Sequence, residues 1–301
     1  MKSAIAILTY RRNHALQAML TGLGQHCPFY KTAIFEDCGQ RDDTADVLQK
    51  GRKPVPHPEL MATEYVVPED ADVAQVNHPN VQVFMGDRNL GVAANSNRAL
   101  KWFMESDCDH LCLCNDDLFV DGDFVKFYGK AHKELSVGMF CFCDFTGETY
   151  KWTTYPWRGY KLKLLPRFTG IMISLTRSIV EKAGYFDAAF GQFGEEHSDY
   201  TIRCRLAGGI KIEGQDMNCL DLDHALLRHQ EVETSVQGGA RQRADEEAVH
   251  VMRQCSDSYK FRHYYRPFRL KLPKFVNGFS GGGINTSDLL NCGYNLVTDL
   301  V

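Results

Sequence analysis

The stretch that decides the fold reads Asp107-Cys-Asp-His-Leu-Cys-Leu-Cys-Asn-Asp-Asp-Leu-Phe119. Its central residues, 110–114, have the length and mostly apolar character of a buried β-strand, and the run ends abruptly in Asn115, Asp116 and Asp117. Open α/β sheets bind their ligands at the carboxyl ends of the strands. The stretch therefore predicts a sheet that carries carboxylates at its ligand-binding edge.

The rest of the chain supplies the other elements of such a sheet. Apolar runs that predict strands alternate with helical patterns and polar turns, which is typical of an α/β fold that is largely parallel in its first half. The predicted strands are 4–8, 31–35, 81–85, 110–114, 139–145 and 171–175. Helices are predicted after the first strand and over 92–104, 178–183 and 198–207. Residues 51–80, rich in Pro, His and acidic groups, are predicted to form an irregular insertion.

The composition of the 301 residues is that of one large globular domain, or of one domain with an appendage. Hydrophobic residues make up 44% of the chain and charged residues 24%, and the net charge of −4 excludes a wholly basic nucleic-acid coat. No apolar run approaches the roughly 20 residues of a membrane span, and the run at 4–8 is too short for a secretory signal. We therefore expect a cytoplasmic protein.

The 11 cysteines support the same compartment. Their number is odd and many lie inside apolar runs, which is typical of reduced thiols and not of a disulfide framework. Cys112 and Cys114 alternate along one predicted strand, and Cys141 and Cys143 along another, so we interpret each pair as sharing one face of a buried strand. A zinc site is the alternative interpretation of this spacing.

A second acidic cluster reads Gly-Glu-Glu-His-Ser-Asp-Tyr-Thr-Ile-Arg over residues 194–203. If the fold brings this cluster to the same sheet edge, its carboxylates can supply a metal ligand and a general base. The spacing of Asp199 and Arg203 predicts either an ion pair on a solvated helix face or an Arg203 that orients the acidic cluster. Two acidic clusters at one edge suit transfer chemistry on a phosphate-bearing substrate.

Four polar motifs follow one another in a distinctive order. The second strand leads into Asp-Cys-Gly-Gln-Arg-Asp-Asp-Thr at 37–44, and the third into Asn-Leu-Gly at 89–91, with Asn97 further along. The fourth strand leads into Asn-Asp-Asp at 115–117, and Glu-His-Ser-Asp-Tyr-Thr-Ile-Arg follows at 196–203. In order and spacing, these motifs resemble those of the family 2-like glycosyltransferases of the GT-A fold. The resemblance extends over most of the chain before the C-terminal region.

The resemblance implies a Rossmann-like GT-A fold with a mixed, mostly parallel sheet flanked by helices. It divides the chain into a catalytic domain, 1–235, with a nucleotide-binding half, 1–118, and an acceptor half, 119–235. A C-terminal helical or irregular extension, 236–301, would follow. Within it, residues 258–275 interleave Lys and Arg with aromatic residues, so this segment could bind nucleic acid or an anionic surface, dock on the acidic catalytic face, or form a homo-oligomer contact.

The same resemblance implies a nucleotide-sugar donor, such as a UDP- or GDP-sugar, at the ends of the first strands. Asp37 would accept a hydrogen bond from a base N–H or a ribose hydroxyl, and Gly91 would let a helix N-terminus approach a phosphate closely. The alternatives are a plain turn at Asp37 and an Asn cap beside a packing glycine at Gly91. The predicted donor-binding residues are Thr9, Tyr10, Arg11, Asp37, Asn89, Gly91, Asn97, Asn115 and Asp116.

A divalent cation is implied at the end of the fourth strand. Asp117 and His224 are the predicted ligands of Mn²⁺ or Mg²⁺, with His229 as the competing histidine, and Asn115 replaces the first Asp of the family's Asp-x-Asp motif. The cation would neutralise charge on the leaving nucleoside diphosphate. The alternative interpretation of residues 115–117 is a solvated turn that starts the next helix.

The second acidic cluster contains the candidates for the catalytic base. In an inverting transfer, a carboxylate removes the proton of the acceptor hydroxyl while its oxygen attacks the anomeric carbon. The candidates are Glu196, His197 and Glu195, and His197 stands where the family motif has an Asp. We favour Glu196, because a carboxylate is the usual group, and keep His197 as the alternative.

Residues 150–168 combine Trp and Tyr with Lys and Arg, and in GT-A folds this region lines the acceptor side. Aromatic rings stack on sugars or bases, and the basic groups favour an anionic acceptor. A glycan, a lipid-linked or another hydroxyl acceptor is therefore expected, with nucleic acid, including modified DNA, as a weaker alternative. Two rival functions remain, a catalytically inactive binding module and a nucleotidyltransferase, although residues 9–13 lack the glycines that a nucleotidyltransferase usually carries.

Overall fold

The computed structural model describes residues 1–37, 43–142, 144, 153–165, 170–186, 196–208 and 219–230. Its main sheet has eight strands in the order β3-β4-β5-β2-β1-β6-β11-β8. These strands are β1 (Ser3–Thr9), β2 (Lys31–Glu36), β3 (Lys53–His57), β4 (Ala62–Val66), β5 (Val81–Gly86), β6 (His110–Asn115), β8 (Met139–Phe142) and β11 (Met172–Thr176). Two smaller sheets contain β9 (Thr153–Trp157), β10 (Tyr160–Leu165) and β12 (Cys219–Leu222), and β7 (Leu118–Val120) and β13 (Leu227–His229).

The centre of the main sheet is parallel. β1 pairs in parallel with β2 and with β6, and β2 pairs in parallel with β5, whereas the strands on both flanks run antiparallel. Consecutive parallel strands need crossover connections, and the helices between them supply these. The predicted mixed α/β sheet with a parallel first half is therefore confirmed. The carboxyl ends of β1, β2, β5 and β6 consequently meet at one edge.

Six helices flank the sheets in the described part of the chain. They are α1 (Asn13–His26), α2 (Asp43–Gln49), α3 (Val92–Glu105), α4 (Phe124–Leu135), α5 (Arg177–Ala183) and α6 (Glu196–Leu206). Helix α3 buries the polar residues Asn95, Asn97 and Arg98 together with its apolar face. None of these described helices has the length and apolarity needed to cross a membrane.

The region 51–80 differs from the prediction, because it contains β3, β4 and two short 3₁₀ helices and is not wholly irregular. The sequence of β3, Lys-Pro-Val-Pro-His, does not look like a strand since proline cannot donate to a sheet hydrogen-bond ladder. β3 lies at the edge of the sheet, which is where proline is tolerated and where it discourages pairing with another chain.

The cysteine pattern is explained by the strands. Cys112 and Cys114 are buried in β6 and Cys141 is buried in β8, while Cys143 lies outside the described residues. No group of three His, Cys, Asp or Glu side chains in the described part of the chain is arranged to hold a metal ion. The burial of the three described thiols within strands agrees with the interpretation of strand faces.

Two fully buried histidines form a chain of hydrogen bonds with serine hydroxyls. His110 contacts Ser3 Oγ at 3.0 Å and Ser174 Oγ at 2.8 Å, and His132 contacts Ser174 Oγ at 2.8 Å and the carbonyl of Val137. Because the Val137 carbonyl only accepts, His132 Nδ1 must donate, and in the neutral ring Nε2 accepts from Ser174. All of these contacts can be satisfied with both imidazoles neutral, and burial favours the neutral forms.

Burial lowers the pKa of His132 to about 4 and holds the pKa of His110 well below its ordinary value. A histidine with a lowered folded-state pKa stabilises the fold above its unfolded pKa of about 6.5, and this stability is lost as pH falls toward the folded pKa. Burial raises the pKa of Asp37 and of Asp116 to about 6, which has the opposite effect. Because these effects oppose each other in the wild-type protein, the contribution of a histidine is measured by comparing the pH dependence of stability of wild type with that of a variant that lacks it.

We expect His132→Gln to be less stable than wild type at pH 7 and to lose less stability on acidification. Between pH 6.5 and 5, the wild-type free energy of unfolding should fall by up to about 2 kcal/mol more than that of the variant. Urea denaturation at the two pH values measures this difference. His26→Gln, at an exposed helix end, is the matched control and should follow wild type. Parallel pH profiles for wild type and His132→Gln would contradict the neutral assignment.

Candidate functional site

The ends of β1, β2 and β6 bring three predicted site residues together. Thr9 ends β1, and its hydroxyl donates to Asp116 Oδ2 at 2.7 Å just beyond the end of β6. The backbone carbonyl of Thr9 accepts from the N–H of Asp37 at 3.2 Å, at the end of β2. The predicted convergence at the carboxyl edge therefore exists, and its polar groups are in mutual contact.

Arg12 lies over the two carboxylates that follow β6. Its Nε is 3.2 Å from Asp116 Oδ1, and one terminal nitrogen is 2.8 Å from Asp117 Oδ2. Asp116 is fully buried and Asp117 is 8% exposed. The Oδ1 atoms of both aspartates have no hydrogen-bond partner among the described residues. Two buried carboxylates thus converge at the sheet edge, and each keeps one oxygen without a hydrogen bond among the described residues.

The surroundings shift the pKa values of Asp116 and Asp117 in opposite directions. Burial raises the pKa of Asp116 to about 6, although Arg12 and the Thr9 hydroxyl counteract it. Burial also opposes ionisation of Asp117, but the His229 ring and the Arg12 charge outweigh it and lower the pKa of Asp117. Asp117 is therefore the more strongly ionised of the pair and the better candidate for an anionic metal ligand.

The structure distinguishes the two candidate histidines. Tyr128 donates its hydroxyl to Asp221 at 2.6 Å, so His224 Nε2, at 2.8 Å from the same hydroxyl, must donate to it. His224 Nδ1 accepts from the backbone N–H of Leu226, so both ring nitrogens are occupied, and burial lowers the pKa of His224 to about 4. His229 Nε2, in contrast, lies 3.7 Å from Asp117 Oδ2. The geometry favours His229 beside the carboxylates.

Asp37 is an internal anchor for the start of α3. Its Oδ2 accepts from the backbone N–H groups of Leu90 and Gly91 at 2.9 and 3.1 Å, and its Oδ1 pairs with Arg98 at 2.7 Å. Gly91 has a φ of 94°, a backbone conformation that favours glycine, and Asn89 Oδ1 also accepts from its N–H at 2.8 Å. The aspartate and the Asn-Leu-Gly motif therefore form one rigid turn at the edge of the sheet.

Asn97 joins α3 to the segment that leads toward the second acidic cluster. Its fully buried side-chain amide donates to the carbonyl of Phe186 at 2.9 Å and accepts from the N–H of Phe186 at 2.8 Å. Arg203, also fully buried, donates to the carbonyls of Ala183 and Tyr185 at 2.9 and 2.7 Å. Arg203 is thus not on a solvated helix face, and the two side chains together hold the backbone of residues 183–186.

Gly170 connects the first acidic cluster to the second. Asn115 Nδ2 donates to the carbonyl of Gly170 at 2.8 Å, and a Cβ built on Gly170 would lie 2.9 Å from His197 Nδ1. His197 Nδ1 is in turn 2.9 Å from Glu196 Oε1. Glu196 is 3% exposed, and its Oε2 has no hydrogen-bond partner among the described residues. The candidate bases therefore lie one glycine away from the Asn-Asp-Asp motif.

Comparisons with known proteins identify the architecture. No protein-family model and no curated protein matches the sequence. The crystal structure of GalNAc-T7 with UDP, GalNAc and Mn²⁺ matches with a TM-score of 0.57 at 11% identity, over 86% of this chain and 50% of that chain. The chain has the GT-A fold. The crystal structure of S. aureus TarS 1-349 in complex with UDP-GlcNAc gives 0.52 at 14% identity, over 85% of this chain and 66% of that one.

The similarity to these two structures covers only part of their length. This chain spans half of the GalNAc-T7 chain and 66% of the TarS chain, and at such low identities the likeness establishes the fold alone. Open α/β sheets bind ligands at the carboxyl ends of their strands. The clusters described above lie at this edge and beside it.

Several predicted positions lie partly or wholly outside the described structure. Glu195, the extension 236–301 and its basic segment are not described, and neither is the Asp199 side chain that would pair with Arg203. At the end of β1, the Arg11 guanidinium lies 5.3 Å from the centre of the Tyr10 ring. Of the aromatic, basic region 150–168, the hairpin of β9 and β10 is described.

Three residues that contact the predicted site residues were not assigned a role from the sequence. Arg12 pairs with Asp116 and Asp117, Arg98 pairs with Asp37, and Gly170 lies against the His197 ring. Their positions next to or within recognised motifs were visible, since Arg12 directly follows Arg11 and Arg98 directly follows Asn97. The sequence did not indicate which way their side chains point.

Gly170→Ala tests the contact between Gly170 and His197. A methyl group would clash with the imidazole, and the φ of 71° is unfavourable for alanine, so we expect the free energy of unfolding to fall by about 1–3 kcal/mol. Gly159→Ala is the matched control, because Gly159 has a φ of 84° with nothing within 4 Å of the added methyl. Urea denaturation of both variants isolates the clash. Equal destabilisation would show that the Gly170 contact contributes nothing beyond backbone strain.

Proposed function

We propose that this chain is a glycosyltransferase that moves a sugar from a nucleotide-diphosphate donor to an acceptor hydroxyl with the aid of a divalent cation. The observation that carries the proposal is the pair of buried carboxylates, Asp116 and Asp117, each with one oxygen that has no hydrogen bond among the described residues, at the ligand edge of a GT-A fold. The solved neighbours support it at a general level, since GalNAc-T7 was crystallised with UDP, GalNAc and Mn²⁺ and TarS with UDP-GlcNAc.

The residues present fit a cation that is completed by its substrate. The described part of the chain has no ready group of three metal-binding side chains, but Mg²⁺ ordinarily takes one or two protein carboxylates together with substrate phosphates. Asp117 would be the principal ligand, and we replace His224 with His229 as the accompanying histidine, because His229 faces Asp117. A bound Mn²⁺ or Mg²⁺ would neutralise charge on the departing diphosphate.

The protein groups around the carboxylates would orient the donor. Thr9 fixes Asp116 through its hydroxyl, and Asp37 accepts from the N–H groups of Leu90 and Gly91 and so fixes the turn that starts α3. We assign Asp37, Asn89 and Asn97 mainly to positioning, because the structure commits their side-chain contacts to the protein. Rigid support of this kind holds reacting groups near the productive geometry.

Glu196 is the proposed catalytic base of an inverting transfer. Its Oε1 contacts His197, and its Oε2 is the oxygen left to take the proton of the acceptor hydroxyl. His197 would hold the orientation of the carboxylate, and Gly170 provides the space for its ring. The acceptor side would include the β9–β10 hairpin, whose Lys161 and Lys163 suit an anionic acceptor although both pair with Asp223.

A thermal-shift screen tests the proposal. UDP, GDP, CMP, dTDP and their sugars should be tried with and without Mn²⁺, because a ligand that binds only the folded state raises the melting temperature. We expect one nucleotide to raise the melting temperature only when Mn²⁺ is present, and UDP and GDP are the first candidates. If no nucleotide changes the melting temperature, the proposed donor site is contradicted.

An inactive binding module is the second candidate. The observation that favours it is Asn115, which replaces an aspartate and whose amide is committed to the Gly170 carbonyl. Such a module would show the thermal shift with a nucleotide-sugar but would release no nucleoside diphosphate and transfer no sugar. Turnover of any donor excludes it.

A further inference from the structure

Arg12 is the cation that the fold itself places on the two metal-motif carboxylates. It lies at the N-terminal cap position of α1, between the end of β1 and the helix, and its side chain does not cap the helix. Its guanidinium instead spans Asp116 and Asp117 at 3.2 and 2.8 Å. One arginine thus occupies the position where the proposed function requires a divalent cation.

The pairing of Arg12 with these carboxylates is incomplete. Arg12 Nε is buried without a hydrogen bond of good geometry, and one oxygen of each aspartate is likewise without a hydrogen-bond partner among the described residues. Buried ion pairs are stable when all their donors and acceptors are satisfied, and these are not. The side chain of Arg12 keeps 22% of its surface exposed, so it retains contact with the open side of the site.

A divalent cation and the guanidinium cannot both occupy these oxygens without strong repulsion, because arginine stays protonated at every accessible pH. Displaced from the carboxylates, the guanidinium would remain beside the donor, where its planar fork matches a phosphate. We propose that Arg12 exchanges partners, pairing with Asp116 and Asp117 in the absence of ligand and with the donor diphosphate when a divalent cation takes the carboxylates. This inference rests on the proposed function.

The exchange predicts that Arg12→Gln increases the affinity for Mn²⁺ and decreases the affinity for UDP. Arg12→Gln removes the competing charge, so Mn²⁺ alone should bind about tenfold more tightly. It also removes a phosphate partner, so UDP at saturating Mn²⁺ should bind about tenfold more weakly. Arg12→Lys keeps the charge but not the fork, so it should bind Mn²⁺ like wild type and UDP more weakly. Isothermal titration calorimetry with Mn²⁺ and with UDP measures both constants.

Arg228→Gln is the matched control. Arg228 also pairs with an aspartate, Asp121, but its side chain is 59% exposed and belongs to a separate pair. Both affinities should be unchanged in this variant, and circular dichroism should show that every variant is folded. If Arg12→Gln weakens Mn²⁺ and UDP alike, or changes neither, the exchange is overturned.

The failure of the exchange and the failure of the proposed function give different results. If UDP and GDP do not bind the wild-type protein at saturating Mn²⁺, the proposed donor site fails and the phosphate step of the exchange is overturned with it. If wild type binds the nucleotide and Arg12→Gln lacks the opposite changes, only the exchange is overturned. A gain in Mn²⁺ affinity with a loss in UDP affinity supports both.

Discussion

Asp117→Asn is expected to abolish donor turnover while leaving the protein folded. The substitution keeps the shape of the side chain but removes the charge that would hold the cation and that now pairs with Arg12. Cation stabilisation of a leaving diphosphate is worth several kcal/mol, so kcat should fall by about a thousandfold or more. Release of nucleoside diphosphate from the donor identified by thermal shift measures this loss.

The control for this variant is Asp121→Asn. Asp121 lies in the same region, just after β7, and pairs with Arg228 at the surface, so its substitution should leave turnover unchanged. Circular dichroism and the melting temperature of both variants separate lost chemistry from lost folding. Turnover like that of wild type in folded Asp117→Asn would remove Asp117 from the metal site.

Glu196→Gln is expected to have the second largest effect. Glutamine can keep the contact with His197 Nδ1 but cannot accept the acceptor proton, and loss of a general base costs about 10²- to 10⁴-fold in kcat. The affinity for UDP should be unchanged, because this carboxylate acts on the acceptor and not on the nucleotide. Pre-steady-state or single-turnover transfer assays show the loss in the chemical step.

His197→Gln decides between the two candidate bases. If Glu196 is the base, His197→Gln should reduce kcat by less than about tenfold, since it disturbs only the position of the carboxylate. Glu181→Gln, exposed on α5, is the matched glutamate control and should behave like wild type. A larger loss in His197→Gln than in Glu196→Gln would assign the proton transfer to His197.

The sheet and its ligand edge could be predicted from the sequence because the signals are local. The apolar run 110–114 and the short run 4–8 are strands with polar residues at their ends, and parallel pairing of β1 with β6 brings Thr9 and Asp116 together. The apolar runs and the polar residues that end them are sufficient to predict these strands and their ends. β3 was not predictable in the same way, because its two prolines are compatible with a strand only at an edge.

The partners of individual side chains could not be predicted because they depend on packing between distant segments. Spacing alone allows either His224 or His229, and only the contact of Tyr128 with Asp221 shows that His224 is already occupied. Likewise, Asn97 and Arg203 belong to recognisable motifs, yet their bonds to the backbone of residues 183–186 arise from the way α3 and α6 pack. The sequence predicts the residues of the site, and the contacts in the fold show which of their side chains are already bonded within the protein.

The most direct test of the account is release of nucleoside diphosphate from UDP- and GDP-sugars by the whole chain, with Mn²⁺ and with a chelator, for wild type and Asp117→Asn. The account predicts release from one class of donor, dependent on the cation and on Asp117. Binding of a nucleotide-sugar with no release under any condition, in folded protein supplied with acceptors, would contradict the claim that the chain is a glycosyltransferase.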